Sequence, residues 1–188
     1  GGIGPHGINP SIYPKLPYDP VRDFVPIIHV ANAPNVLVVH PSVTVRSVSE
    51  LIALAKAKPG ALTFSSAGIG SSQHLSGEML KMIAGVNTTH VPYKGSAPGV
   101  TAALAGEVTM MFATMADVVE HIRGSKLRAL AVTGAARIAA LPDVPTMVEA
   151  GVAGYEATAW FGLVAPAATP RDIVMKLNQE VARILQIP

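Results

Sequence analysis

An α/β fold of two lobes is what this sequence predicts, on three observations. Strand-like and helix-like patterns alternate on a beat of about 30 residues, the rhythm of βαβ units. The helical patterns carry start and stop signals. Two extended stretches, 35–41 and 155–165, bracket the alternating array like two crossings between a central lobe and an outer one.

The opening "GGIGPHGINP" is neither a charged-then-apolar leader nor a sensible start to a fold, and reads like a chain entered midway. "NVLVVHP" (35–41) is a β-branched run stopped by Pro41. "SVSELIALAKAKPG" then opens with a capping box, Ser47 with Glu50, and closes at Pro59-Gly60. "ALTFSS" (61–66) is the next strand, followed by a helix from Ser72 whose apolar residues Leu75, Met79, Met82 and Ile83 are expected on one packed face. The methionines read as core. "TTHVPY" is a strand, "SAPGVTAALAG" a helix, "EVTMMFA" a strand, "MADVVEHIRG" a helix and "KLRALAVTG" a strand. After Gly134, "LPDVPTMVEAG" is a Pro-punctuated connector with one short helix, and "YEATAWFGLVAP" is extended. "TPRDIVMKLNQEVARILQ" closes the chain as a helix with Thr169 as N-cap, Pro170 at its first position, and Ile173, Val174, Leu177, Val181 and Ile184 along one face.

Composition narrows the chemistry. The 188 residues are 49% hydrophobic, enough for a substantial core, and only 14% charged with a net charge of +2. The basic residues form no stripe, which argues against nucleic acid as a partner. Apolar runs such as "MMFATMA" are too short to cross a bilayer. Cysteine is absent, removing disulfides, thiolate metal sites and cysteine nucleophiles together. The six histidines show no close i,i+4 pair of the zinc-binding kind, so no metal is expected.

The stretch "SSAGIGSSQHLSGEML" (65–80) stands apart, because small residues that can hardly pack lead directly into an amphipathic helix. Gly68 and Gly70 permit a sharp turn and close approach, and Ser71 or Ser72 is a good N-cap. Unpaired helix-start N–H groups, the hydroxyls of Ser65, Ser66, Ser71 and Ser72, and the helix dipole together suit an anion. The same residues equally describe a capped helix with nothing bound. As a dinucleotide fingerprint the stretch fails: Gln73 replaces the third glycine, and Thr88, Thr89 and His90 stand where an acidic residue is needed. It lacks the lysine of a P-loop, and no GxSxG elbow occurs in the chain. His74 beside Ser71 or Ser72 could form a base–nucleophile pair, but a capping contact explains the spacing as well. Glu78, Asp117 and Glu120 read as solvated helix faces.

Longer blocks carry a resemblance. "GINPSIYPKLPYDPVRDFVPI", "PNVLVVHPSV", "SELIALAKAKPGALTFSSAGIGSSQHLSGEML", "THVPYKGSAPGVTAALAGEVTMMF", "KLRALAVTG", "LPDVPTMVEAG" and "WFGLVAPAATP" resemble the solute-binding proteins of tripartite tricarboxylate transporters, the Bug or TctC-like family, over essentially the whole chain. The resemblance implies a periplasmic binding protein of type II-like fold, two α/β lobes closing on a small organic anion: a di- or tricarboxylate, an acidic amino acid or an aromatic acid. It implies delivery to membrane permease subunits, no cofactor, no catalysis, and a monomeric full-length protein. Residues 1–40 and 166–188 would form the first lobe and 41–165 the second. Family members are longer at both ends, which implies that a signal peptide, a first strand with its ligand loop, and C-terminal elements lie outside this sequence.

Carried over residue by residue, the family's ligand loop corresponds to Ser65, Ser66, Ala67, Gly68, Gly70, Ser71, Ser72 and His74. "VPYKGS" (91–96), with Tyr93 and Lys94, and the strand end at Phe112–Met115, with Thr114, would edge the same cleft; His6–Asn9 would edge it from the first lobe. Two departures stand out: Pro5 precedes His6 where a small hydroxyl residue is common, and "FATMAD" replaces a more usual Asp-Asn sequence. The ligand therefore need not be that of a well-known relative. A ligand-sensing effector domain or a small-acid-processing enzyme of the same fold are the alternatives, to be told apart by an upstream DNA-binding segment or by product formation.

Overall fold

The computed structural model describes residues 1–187 and divides the chain into two compact units. Unit 2 is Pro34–Thr158, and unit 1 combines Gly1–Ala33 with the segment from Ala159 onward. The sequence reading set these divisions at 40/41 and 165/166.

Unit 2 is built on the C-terminal end, from Pro34, of a long strand β1 (Phe24–Val39), followed by α2 (Val48–Ala57), β2 (Thr63–Ser66), α3 (Ser72–Ala84), β3 (Thr89–Pro92), α4 (Ser96–Leu104), β4 (Met110–Thr114), α5 (Met115–Arg123) and β5 (Arg128–Val132). A short α1 (Asn9–Ile12) precedes them. The strand order is β3-β2-β4-β1-β5. β2 runs parallel to both β3 and β4, whereas β1 is antiparallel to β4 and β5, with Leu37 opposite Phe112 and Ala131.

Alternation along the strands sends side chains to opposite faces. Leu37 and Val39 join Phe64, Met110 and Phe112 with Leu51 of α2 and Leu80 of α3 on one face. Val36 and Val38 join Met111 and Ala113 with Val100 of α4 and Val118 of α5 on the other. The result is a helix–sheet–helix sandwich, the α/β class the sequence predicts.

Several local expectations are corrected. β1 begins at Phe24 rather than at residue 35, because Pro26 and Pro34 lie in an extended strand rather than ending one. The glycine-rich opening, read as no sensible start to a fold, holds a wide helical turn over Gly4–Ile8 that continues into α1. The connector after Gly134 is a series of turns, among them one closed by Ala150 N–H on Thr146 O (2.9 Å), and not a helix.

The packed face of α3 is Gln73, Ser76, Gly77 and Leu80, while Leu75, Met82 and Ile83 are exposed. Of the expected apolar face only Met79 packs against the core, because beside Phe64 the helix sits too close to the sheet for large side chains and Ser76 and Gly77 fill that part of the face. A Cβ on Gly77 would lie 2.2 Å from the Phe64 ring. Ser76 is buried by bonding, its hydroxyl donating to Ser72 O (2.8 Å) and accepting from Asn35 Nδ2 (3.2 Å).

Unit 1 contains β6 (Thr158–Pro166), which pairs with β1, and α6 (Arg171–Ile184). Pro170, not Thr169, occupies the N-cap of α6, its ψ of 140° being extended. No residue of α6 is buried: Ile173, Leu177 and Ile184 remain on an open face. Phe24, Trp160 and Leu163 line a cavity of about 600 Å³ within this unit.

Candidate functional site

The mutually parallel strands β2, β3 and β4 place the starts of α3, α4 and α5 at one edge of the sheet, the carboxyl edge of those strands, whereas α2 follows the antiparallel β1 and starts at the other. The connection after β2 leads through α3 toward β3, and that after β4 leads through α5 toward β5, on the opposite side. Adjacent strands whose connections diverge open a crevice at their carboxyl ends, the usual ligand position in open α/β sheets. Here that crevice is flanked by the loop Ala67–Ser71 and by Thr114.

The loop is rigidly bonded. Ser66 Oγ donates to Gly68 O (3.2 Å), accepts from Gly68 N–H (3.1 Å) and meets His90 Nε2 at 2.6 Å. Ser71 is the N-cap of α3: its hydroxyl donates to Gly68 O (2.8 Å) and accepts from His74 N–H (3.2 Å). Gly68 and Gly70 have φ of +124° and +80°, which β-carbon-bearing residues rarely adopt. Gly70 N–H donates to His74 Nδ1 at 3.3 Å. A helix leaves its first N–H groups without intrahelical acceptors, and those of Ser72 and Gln73 have no protein acceptor among the described residues.

Gln73 binds the crevice together and was missed by sequence reasoning, which treated it only as a lost glycine. Its side chain is almost fully buried (3% exposed). Its Oε1 accepts from Ala67 N–H (2.7 Å), while its Nε2 donates to Ser96 Oγ (3.0 Å) on α4 and to Thr114 Oγ1 (3.4 Å) before α5. One amide thereby ties three helix starts. Ser96 Oγ donates in turn to Asp117, so this carboxylate is more than a solvated face.

Of the remaining expected residues, Ser65 is buried and donates to Gly99 O (3.1 Å), away from the loop. Tyr93 lies against the loop through its backbone, its N–H donating to Ser66 O (3.1 Å), and Lys94 is exposed. His6 belongs to unit 1, where its ring packs edge-on against Phe24 at 5.1 Å and both ring nitrogens are buried without a partner.

The electrostatics are those of neutral donors. The His74 and His90 rings lie 4.2 Å apart, and His90 stacks on Phe64 at 4.8 Å. Partial burial holds both imidazoles below the usual histidine range, and the His74 ring pushes His90 further down. The folded state then binds fewer protons than the unfolded chain between the depressed values and the ordinary value of 6.5. The pair's contribution to stability is complete above that window and is lost as pH falls through it. Burial likewise raises the Tyr155 phenol, whose hydroxyl donates to Ser76 O (2.7 Å). Among the described residues no group of three or more His, Asp or Glu could hold a metal ion, and no helix is long and apolar enough to cross a membrane.

This geometry has close counterparts. The structure of R. palustris Rpa4515 with adipate superposes with a TM-score of 0.94 at 41% identity, covering all of this chain and 62% of that one. The periplasmic binding protein BugD superposes at 0.90 with 34% identity, again over all of this chain and 62% of its own. The fold is thus that of periplasmic solute-binding proteins. A relative encoded in the tcbD-tcbE intergenic region of Pseudomonas sp. strain P51 is 42% identical over 94% of this chain and 53% of its own length. The model of the tripartite tricarboxylate transporter family receptor, TctC, matches residues 2–188, and the chain belongs to that family. It spans about half the length of the curated relatives it matches.

Proposed function

We propose that the protein carrying this chain is a periplasmic solute-binding protein that captures a small organic carboxylate at the start of α3 and presents it to the permease subunits of a tripartite transporter. The observation that carries the reading is the convergence of three helix starts on one buried amide, Gln73, beside a loop whose N–H groups at Ser72 and Gln73 lack protein acceptors. The family and the adipate held by Rpa4515 supply the ligand class. Aligned N–H and O–H dipoles bind an anion without leaving an uncompensated charge in the empty site. The hydroxyls of Ser65, Ser66 and Ser71 are engaged with the protein's own carbonyls, which makes Ser72 the side-chain donor for ligand. Binding without chemistry is the reading for the whole protein, closure being a population shift driven by contacts the closed form alone makes.

Calorimetric titration with adipate tests this. Ser72→Ala removes one charge-assisted hydrogen bond of about 1.5–3 kcal/mol, so affinity should fall about 10- to 100-fold. Gly70→Val should do more damage, because a β-branched residue cannot hold φ at +80° without strain. His121→Ala, on α5, should change affinity by less than about twofold. A Ser72→Ala protein that melts lower yet binds equally well would reduce the loop to a helix cap.

A further inference from the structure

Beneath the loop the two imidazoles are arranged with more constraint than packing requires. A backbone N–H can only donate, so the bond from Gly70 to His74 Nδ1 needs that nitrogen bare. The proton of the neutral ring then sits on Nε2, the nitrogen 4.0 Å from Glu78 Oε1. His90 Nε2 meets Ser66 Oγ at 2.6 Å, and the same oxygen accepts from Gly68 N–H. Each ring therefore holds one glycine of the loop, His74 directly and His90 through Ser66.

We propose that His74 and His90 are positioning residues that keep the loop Ala67–Ser71 in its carboxylate-accepting shape while His74 is uncharged, so that acidification releases the ligand. The inference rests on the reading of this loop as a carboxylate site.

A proton added to His74 Nδ1 turns an acceptor into a donor facing the Gly70 donor, and that bond is lost. Two charged rings at 4.2 Å would also repel. The charged groups acting on the pair are Glu78 and Lys81, both from α3, and these already pair with one another at 2.9 Å. From β2 the rings meet Phe64 and the Ser66 hydroxyl, neither of which balances a second positive charge. The depressed titration of both imidazoles points the same way.

Asparagine offers an oxygen where histidine has Nδ1, glutamine offers an amide where it has Nε2, and neither titrates. The test is adipate affinity in the whole protein that carries this chain, wild type beside the double variant His74→Asn/His90→Gln, between about pH 7.5 and about pH 5. Titration of adipate itself is common to both proteins and cancels in their ratio. From the upper to the lower end, wild-type affinity should fall about tenfold or more beyond whatever fall the double variant shows. A ligand-free NMR titration of wild type should show the Gly70 amide moving together with the His74 ring. Parallel pH profiles, wild-type binding that tightens toward acid, or a Gly70 amide indifferent to pH would each overturn the proposal. Should the double variant not fold, the Gly70 titration decides alone. A moving Gly70 amide with no adipate bound at any pH would instead remove the carboxylate reading and, with it, the release.

Discussion

Denaturant titration of Gly77→Val is expected to show no cooperative transition, whereas Met82→Ala should unfold within about 0.5 kcal/mol of wild type. The two substitutions sit on opposite faces of α3. Met82 is 76% exposed, while a Cβ on Gly77 would approach three atoms of the Phe64 ring to 2.2, 2.6 and 2.7 Å. That ring cannot yield easily, since it is wholly buried and stacked on His90. Even Gly77→Ala should destabilise. Helix propensity favours alanine by about 1 kcal/mol, but overpacking of a filled core costs about 1–3 kcal/mol, and here the misfit lies at the severe end. A stabilised Gly77→Ala would mean that α3 stands off the sheet and that its buried face has been misassigned.

Gln73→Glu should abolish adipate binding, by more than about 100-fold. The carboxylate can still accept from Ala67 N–H, so the loop keeps its tether. It cannot donate to Ser96 or Thr114, however, and it places a negative charge beside Asp117 and beneath the position assigned to the ligand's own anion. Gln73→Leu removes all three bonds and leaves a half-buried N–H without its partner, a loss of about 2–3 kcal/mol, with weaker binding through a loosened loop. Melts and titrations of the two variants separate the effects. Equal affinity in wild type and Gln73→Glu would place the anion elsewhere.

The contrast shows which features sequence order makes legible. Signals that act within one or two turns were readable. Ser47 caps α2 by accepting from Glu50 N–H, and Glu50 reaches back, though to Arg46 N–H rather than to Ser47 itself. Ser71 caps α3 by accepting from His74 N–H. Features that depend on distant partners were not readable. His90 meets Ser66 across 24 residues, and Gln73 reaches Thr114 across 41. The buried face of α3 is only partly legible for the same reason: its close approach is set by Phe64 in another element, so Gly77 and Ser76 pack against the sheet while Leu75, Met82 and Ile83 face out and Met79 alone of the expected residues meets the core. The prolines of β1 misled in the opposite sense, since a strand tolerates proline where no ladder bond is required of it.

The central claim is that the N–H groups at the start of α3 hold a carboxylate, and amide-resolved NMR during adipate titration tests it most directly. The account predicts that the largest shifts fall on Ser72 and Gln73, saturating together with one dissociation constant. Saturating shifts confined to the cavity of unit 1 around Phe24 and Trp160, with Ser72 and Gln73 unmoved, would contradict it.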